Sequence, residues 1–167
     1  MKLLDFAQNH GAELLPPVSV EQISRFEADH NFRIPEGLRN FYLAAGGTKE
    51  FTKWDWRIWP FDELTTIESR AGENPNIECL QGHDACPVLS DYLAFVDVLI
   101  EAPLYAMCAN PSNPQYGEII LLAGDSNPFL AGPIKTFEDF EAILAGHWDD
   151  VVLPDTINSE QGIVPNP

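Results

Sequence analysis

The stretch from residue 19 to residue 47 constrains the fold of this chain more than any other. Ser19-Val20-Glu21-Gln22 fits a capping box, in which the Ser19 hydroxyl accepts a backbone N–H of the coming helix and the Gln22 side chain reaches back to the Ser19 N–H. Val20, Ile23 and Phe26 follow at helical spacing and predict a core-packing helix. Ile34-Pro35 stops it and opens a second, because a first helical turn has no use for the N–H that proline lacks. Leu38, Phe41, Tyr42 and Ala45 then form an i, i+3, i+4, i+7 stripe. Gly46-Gly47 supplies the positive φ that ends this helix.

Downstream the period changes from helical to strand-like. Residues 54 to 58 alternate large apolar with charged side chains and meet Pro60 soon after, which predicts a short strand, and residues 61 to 64 open a brief helix. Residues 69 to 87 read as a loop. From 92 to 100 the chain is apolar with Asp97 as its only charge, and 104 to 109 is a second apolar run just past Pro103, so two strands are expected. Residues 117 to 122 add another, joined through the turn Asn110-Pro111-Ser112-Asn113-Pro114. Thr136-Phe137-Glu138-Asp139 starts a last helix with Phe137, Phe140, Ile143 and Leu144 on one face and Gly146 as its stop. Helices, then strands, then a closing helix predict an α+β fold whose sheet is largely antiparallel and packed with helices.

Composition narrows the function classes. The 167 residues suit a single domain, expected over 1–148, with 149–167 as an extended or loosely packed tail carrying Pro154, Pro165 and Pro167. At 45% hydrophobic and 11% aromatic residues the chain should bury a core. Its net charge of −17, from 26 acidic against 9 basic side chains, repels phosphate backbones and anionic lipid, which makes nucleic acid and membrane poor partners. The same field speeds encounter with a basic protein, although it also serves solubility alone. Asp5, Gln8, Asn9 and His10 interrupt the N-terminus too early for a signal peptide, and no apolar run approaches the ~20 residues a membrane span needs. Three cysteines, Cys79, Cys86 and Cys108, are an odd count that suits reduced thiols and a cytoplasmic protein.

Val20-x-x-Ile-x-x-Phe-Glu, then Phe32-Arg-Ile-Pro-Glu-Gly-Leu-Arg-Asn-Phe-Tyr and Gly46-Gly47, resembles the N-terminal signature of the SUKH superfamily. Trp59-Pro60-Phe61, Phe95-Val96-Asp97, Tyr105, Gly117-Glu118 and Thr136-Phe137-Glu138-Asp139-Phe140 are similar to later family pieces, so the likeness spans roughly residues 19 to 146. It implies an α+β fold. For bacterial members it implies an immunity protein that neutralises a cognate toxin, often a nuclease, by binding it. For fungal members it implies a regulator of cell-wall synthesis acting through protein contacts. A shared fold carries varied functions, so these remain expectations by analogy.

Candidate sites can also be drawn from the residues themselves. Trp54-Asp55-Trp56 places two tryptophans on one side of a strand and a carboxylate on the other. With Asp62, Glu63 and Asp84 this makes a plausible anchor for a basic protein, since tryptophan is enriched at binding hot spots. The plainer reading, that the tryptophans fill the core beside the sheet, is the stronger one. Cys79, His83 and Cys86 are ligand types zinc accepts, but the spacing matches no standard site and no fourth ligand is evident, so an ordinary loop and no metal are expected. The chain contains no nucleophile elbow and no phosphate- or dinucleotide-binding glycine pattern, so neither catalysis nor a cofactor is expected. Asp97 reads as a buried structural acid that Arg39 or Arg33 satisfies.

Overall fold

A computed structural model describes residues 2–51, 56–71, 78–79, 87–98, 104–123 and 129–147. The capping box forms as expected: Gln22 N donates to Ser19 Oγ at 3.2 Å and Ser19 N donates to Gln22 Oε1 at 2.9 Å. These bonds open α2 (Val20–His30), of which Ile23 is fully buried while Val20 is 50% exposed, so the helix packs on a narrower stripe than its spacing suggested. Asn31, at φ 54, ends it by entering the left-handed region, upstream of the Ile34-Pro35 stop that the sequence advertised. Replacing Ser19 with alanine removes one of the two reciprocal bonds, and urea unfolding should record a loss of about 1 kcal/mol.

Pro35 leads into α3 (Glu36–Ala44), which buries Leu38, Phe41 and Tyr42. This helix is over before the glycines: Ala45 is extended, and Gly46 and Gly47 serve a backbone crossing. Gly46 N donates to Leu15 O at 3.1 Å, Leu15 N to Gly47 O at 2.9 Å, and Phe61 N to Gly46 O at 3.0 Å. A β-carbon on Gly46 would lie 2.5 Å from Pro16 O, and one on Gly47 would lie 2.4 Å from Trp59 O. The double glycine is therefore required by three backbone segments meeting at van der Waals distance, with the positive φ of 110° at Gly47 as a further demand.

The sheet has the strand order β1-β4-β5-β6-β7-β3, from β1 (Trp56–Ile58), β3 (Glu78–Cys79), β4 (Tyr92–Val98), β5 (Leu104–Cys108), β6 (Ile119–Ala123) and β7 (Phe129–Ile134). A short β2 (Thr65–Thr66) also pairs with β4. The strands from β4 to β7 form an antiparallel meander, and among the described residues the one parallel pairing is β3 on β7. Every residue of β4 and β5 is buried, which accounts for their near-continuous apolar sequence. Phe95 is the extra residue of a bulge in β4, and its carbonyl accepts Trp59 N–H at 2.9 Å. Along β1, Thr48 Oγ1 donates to Ile58 O and accepts from Ile58 N, both at 3.1 Å, so a hydroxyl satisfies a stretch of strand edge.

Several elements were not expected. The helix α1 (Lys2–Asn9) buries Leu3, Phe6 and Ala7. The helix α4 (Ile67–Ala71) runs into the stretch read as a loop, the strand β3 lies within it, and β7 carries Gly132-Pro133, which look like turn residues. Pro133 is tolerated because the β6–β7 register slips by one residue there, so the ladder asks for no N–H from it. The last helix, α5 (Phe137–His147), runs one residue past Gly146. Thr136 caps it, accepting Asp139 N–H at 3.0 Å and donating to Asp139 Oδ2 at 2.7 Å. Phe140 of α5 sits between Phe95 and Tyr105 of the sheet, each ring 5.1 Å away.

Three phenols share this core. Burial raises the pKa of Tyr42, Tyr92 and Tyr105 above the ordinary value of 10.0. A folded-state pKa raised in this way contributes stability that is complete below pH 10.0 and is lost as pH rises through the folded value. Unfolding free energy should therefore fall steeply above pH 10.0, with phenolate absorbance from these residues growing only as the chain unfolds.

Candidate partner-binding surface

Of the residues singled out for partner contact, Trp54, Asp55 and Asp84 lie outside the described residues. Trp56 is buried. It is 1% exposed, with the Phe6 ring of α1 at 5.1 Å and the His10 ring edge-on at 6.5 Å, so it fills the core beside the sheet. Burying a tryptophan here supplies apolar area for the sheet, and α1, which the sequence did not advertise, is what covers it.

Asp62 and Glu63 do come together at the surface. They belong to a 3-10 turn, Phe61–Glu63, whose first residue is held inward with the Phe26 and Tyr42 rings each 5.3 Å away. Anchoring Phe61 turns the two acids outward, where both are exposed. Glu63 accepts Arg57 Nη2 at 2.6 Å. Trp59 is 1% exposed and has two guanidinium groups over its ring, Arg70 at 3.7 Å and Arg57 at 5.1 Å. Such cation–π stacking fixes the arginines over a buried indole and presents the acidic turn on a stiff base.

Asp97 is buried at 1% exposure, as expected, but neither suggested arginine stands across from it. Arg39 Nη1 bonds both oxygens of Glu27, at 3.1 and 3.2 Å, and Glu27 Oε1 also accepts Ile34 N–H at 3.0 Å. The residue opposite Asp97 in the β1–β4 ladder is Arg57. That register depends on strand pairing and was not visible in either segment alone.

Cys79 lies in β3 opposite Leu130, and His83 and Cys86 lie outside the described residues. Among the described residues no group of three His, Cys, Asp or Glu is arranged to hold a metal ion. Cys108 is buried, and desolvation pushes its thiol up to about 11, away from the reactive thiolate range.

Sequence reasoning missed a groove along α3. One cavity of about 650 Å³ is lined by Glu36, Gly37, Asn40, Phe137, Glu138 and Glu141, between α3 and α5. A second, of about 920 Å³, shares Glu36 and Asn40 and extends past Arg33 and Arg39 towards Tyr116. The only local signals were acids in the first turns of α3 and α5, which dipole stabilisation already explains.

A cap-opened helix pair, a meander and a closing helix define an α+β protein of SUKH type. The chain belongs to the SMI1 / KNR4 family (SUKH-1), whose family model matches residues 17–146. No curated protein matches it closely enough to be informative. The matched span begins after α1, so the helix that buries Trp56 lies outside it. Among the described residues no helix is long and apolar enough to cross a membrane.

Proposed function

We propose that this protein acts by binding another protein, without turnover, and that it is an immunity protein of the cytoplasm that neutralises a basic toxin. Membership of the SMI1 / KNR4 family (SUKH-1) is the observation that carries this reading, because both roles implied for such domains are exercised through protein contacts. The charge of −17 supplies the chemistry of the partner. A nuclease is the favoured target, since an enzyme that grips phosphate presents a basic cleft that carboxylates can occupy in place of nucleic acid. The exposed turn of Asp62 and Glu63, together with Trp54, Asp55 and Asp84, is the surface assigned to that contact.

The test is capture from a lysate of the source organism with the purified chain as bait, at low and moderate salt. One basic protein retained at low salt and released as salt rises supports the immunity reading. Recovery of cell-envelope or signalling components instead supports a regulatory or scaffold module of the same fold. Charge reversal at Asp62 and Glu63 should weaken retention of the basic protein at low salt, and unchanged retention would remove that turn from the contact.

A further inference from the structure

At one end of the sheet a hydrogen-bond donor and an acceptor are buried with nothing bonded to them among the described residues. Tyr92, the first residue of β4, is 0% exposed, and its hydroxyl has no partner. Glu118, just before β6, accepts Lys135 Nζ on Oε1 at 2.6 Å, while its buried Oε2 has none. A polar atom taken out of water without a partner costs free energy, and native structures keep few of them.

Strand register brings the two together. Tyr92 stands opposite Cys108 of β5. Cys108 N donates to Glu118 O at 2.8 Å, and Gly117 N, at φ 87, donates to Cys108 O at 2.9 Å. Tyr92, Cys108 and Glu118 therefore form one row across three strands, and residues opposite one another present their side chains on one face. The electrostatics agree. Desolvation is the largest cause of the raised Tyr92 pKa, and Cys108, Glu118 and Asp91 add to it, which makes them its charged or titratable neighbours. Both Asp91 oxygens are already engaged, by Asn110 Nδ2 at 2.8 Å and Asn113 Nδ2 at 2.7 Å. Two strand spacings of about 4.8 Å put the Tyr92 and Glu118 backbones about 10 Å apart. Cys108, the small side chain in the middle of the row, leaves room between the two long ones.

We propose that this row binds one water molecule as an integral part of the fold, which accepts the Tyr92 O–H and donates to Glu118 Oε2 over the Cys108 thiol. The chemistry selects the occupant, since it must accept one hydrogen bond and donate another in a buried space. A cation would leave the phenol hydrogen unmet, and an anion would face the Glu118 carboxylate. A buried water takes about two to four polar partners, and the row supplies a hydroxyl, a carboxylate oxygen and a thiol. The water carries the Lys135 and Glu118 ion pair through to Tyr92, joining the ends of β7, β6 and β4. It sits at the base of the turn of residues 110–117, whose Pro111 and Tyr116 line the larger cavity.

The experiment is a high-resolution crystal structure of the full chain, paired with water oxygen-17 relaxation dispersion in solution on the wild type and on Tyr92→Phe. Density for one water within hydrogen-bond distance of both Tyr92 Oη and Glu118 Oε2 is expected. Tyr92→Phe should hold one long-lived internal water fewer, because a single strong partner remains. Thermal unfolding checks that this variant folds, and the wild-type density decides the question if it does not. A Tyr92 hydroxyl bonded directly to Glu118, a dry space over Cys108, or an equal number of long-lived waters in the wild type and a folded Tyr92→Phe would overturn the proposal.

Discussion

Gly47→Ala is expected to destabilise the protein by about 3 kcal/mol or more, the sum of strain at a left-handed φ and of forced overpacking. Gly47 sits at φ 110, where an L side chain is strained whatever the space. The added carbon would also lie 2.4 Å from Trp59 O and 2.8 Å from the Pro60 Cα, both of them backbone atoms. Neither can swing aside, because Trp59 N–H is bonded to Phe95 O and Trp59 O accepts the Tyr42 hydroxyl at 3.0 Å. Denaturant unfolding would show the effect as a large fall in midpoint with little change in slope. A wild-type midpoint would mean that the crossing of residues 13–16, 46–49 and 58–61 is not built as described.

Trp56→Ala should cost about 3 to 5 kcal/mol, the range for truncating a large buried aromatic side chain. The indole is 1% exposed and is covered by Phe6 of α1, so the loss should appear in the free protein, without any partner. Trp56→Phe, which keeps an apolar ring, should recover much of it. A variant that folds as well as the wild type yet fails to retain a partner would return Trp56 to the interface that its neighbours Trp54 and Asp55 suggested.

What could be read from the sequence was local. The Ser19 capping box, the Pro35 helix start and the Thr136 opening are decided by a few adjacent residues, and each is found in the structure. The strands β4 and β5 were legible because burial on both faces makes them apolar throughout. Elements whose reasons lie elsewhere in the chain were not legible. The helix α1 looks too short and too polar to stand alone, and becomes stable only with Leu3 and Phe6 buried and Leu3 N–H held by Glu141. The strand β7 hides behind Gly132-Pro133, which a bulge makes harmless. Gly46-Gly47 was assigned a helix-ending role, although its demand comes from Pro16 and Trp59, segments no local pattern places beside it.

The surface divides in the same way. Asp62 and Glu63 were legible as an exposed acidic pair because they are adjacent. The groove along α3 was hidden because Gly37 and Phe137 come from opposite ends of the chain and meet only when α3 packs on α5. The residue across the ladder from Asp97 was hidden for a related reason, since strand register, not proximity in sequence, places Arg57 opposite it.

The proposed function is stoichiometric action on a basic protein partner. It is tested most directly by titrating the purified chain into the basic protein it captures and following that protein's own activity. A linear fall, complete near one equivalent and relieved by raised salt, is expected. Complete loss at a small fraction of an equivalent would show turnover, and undiminished activity at several equivalents would show no neutralisation; either would contradict it.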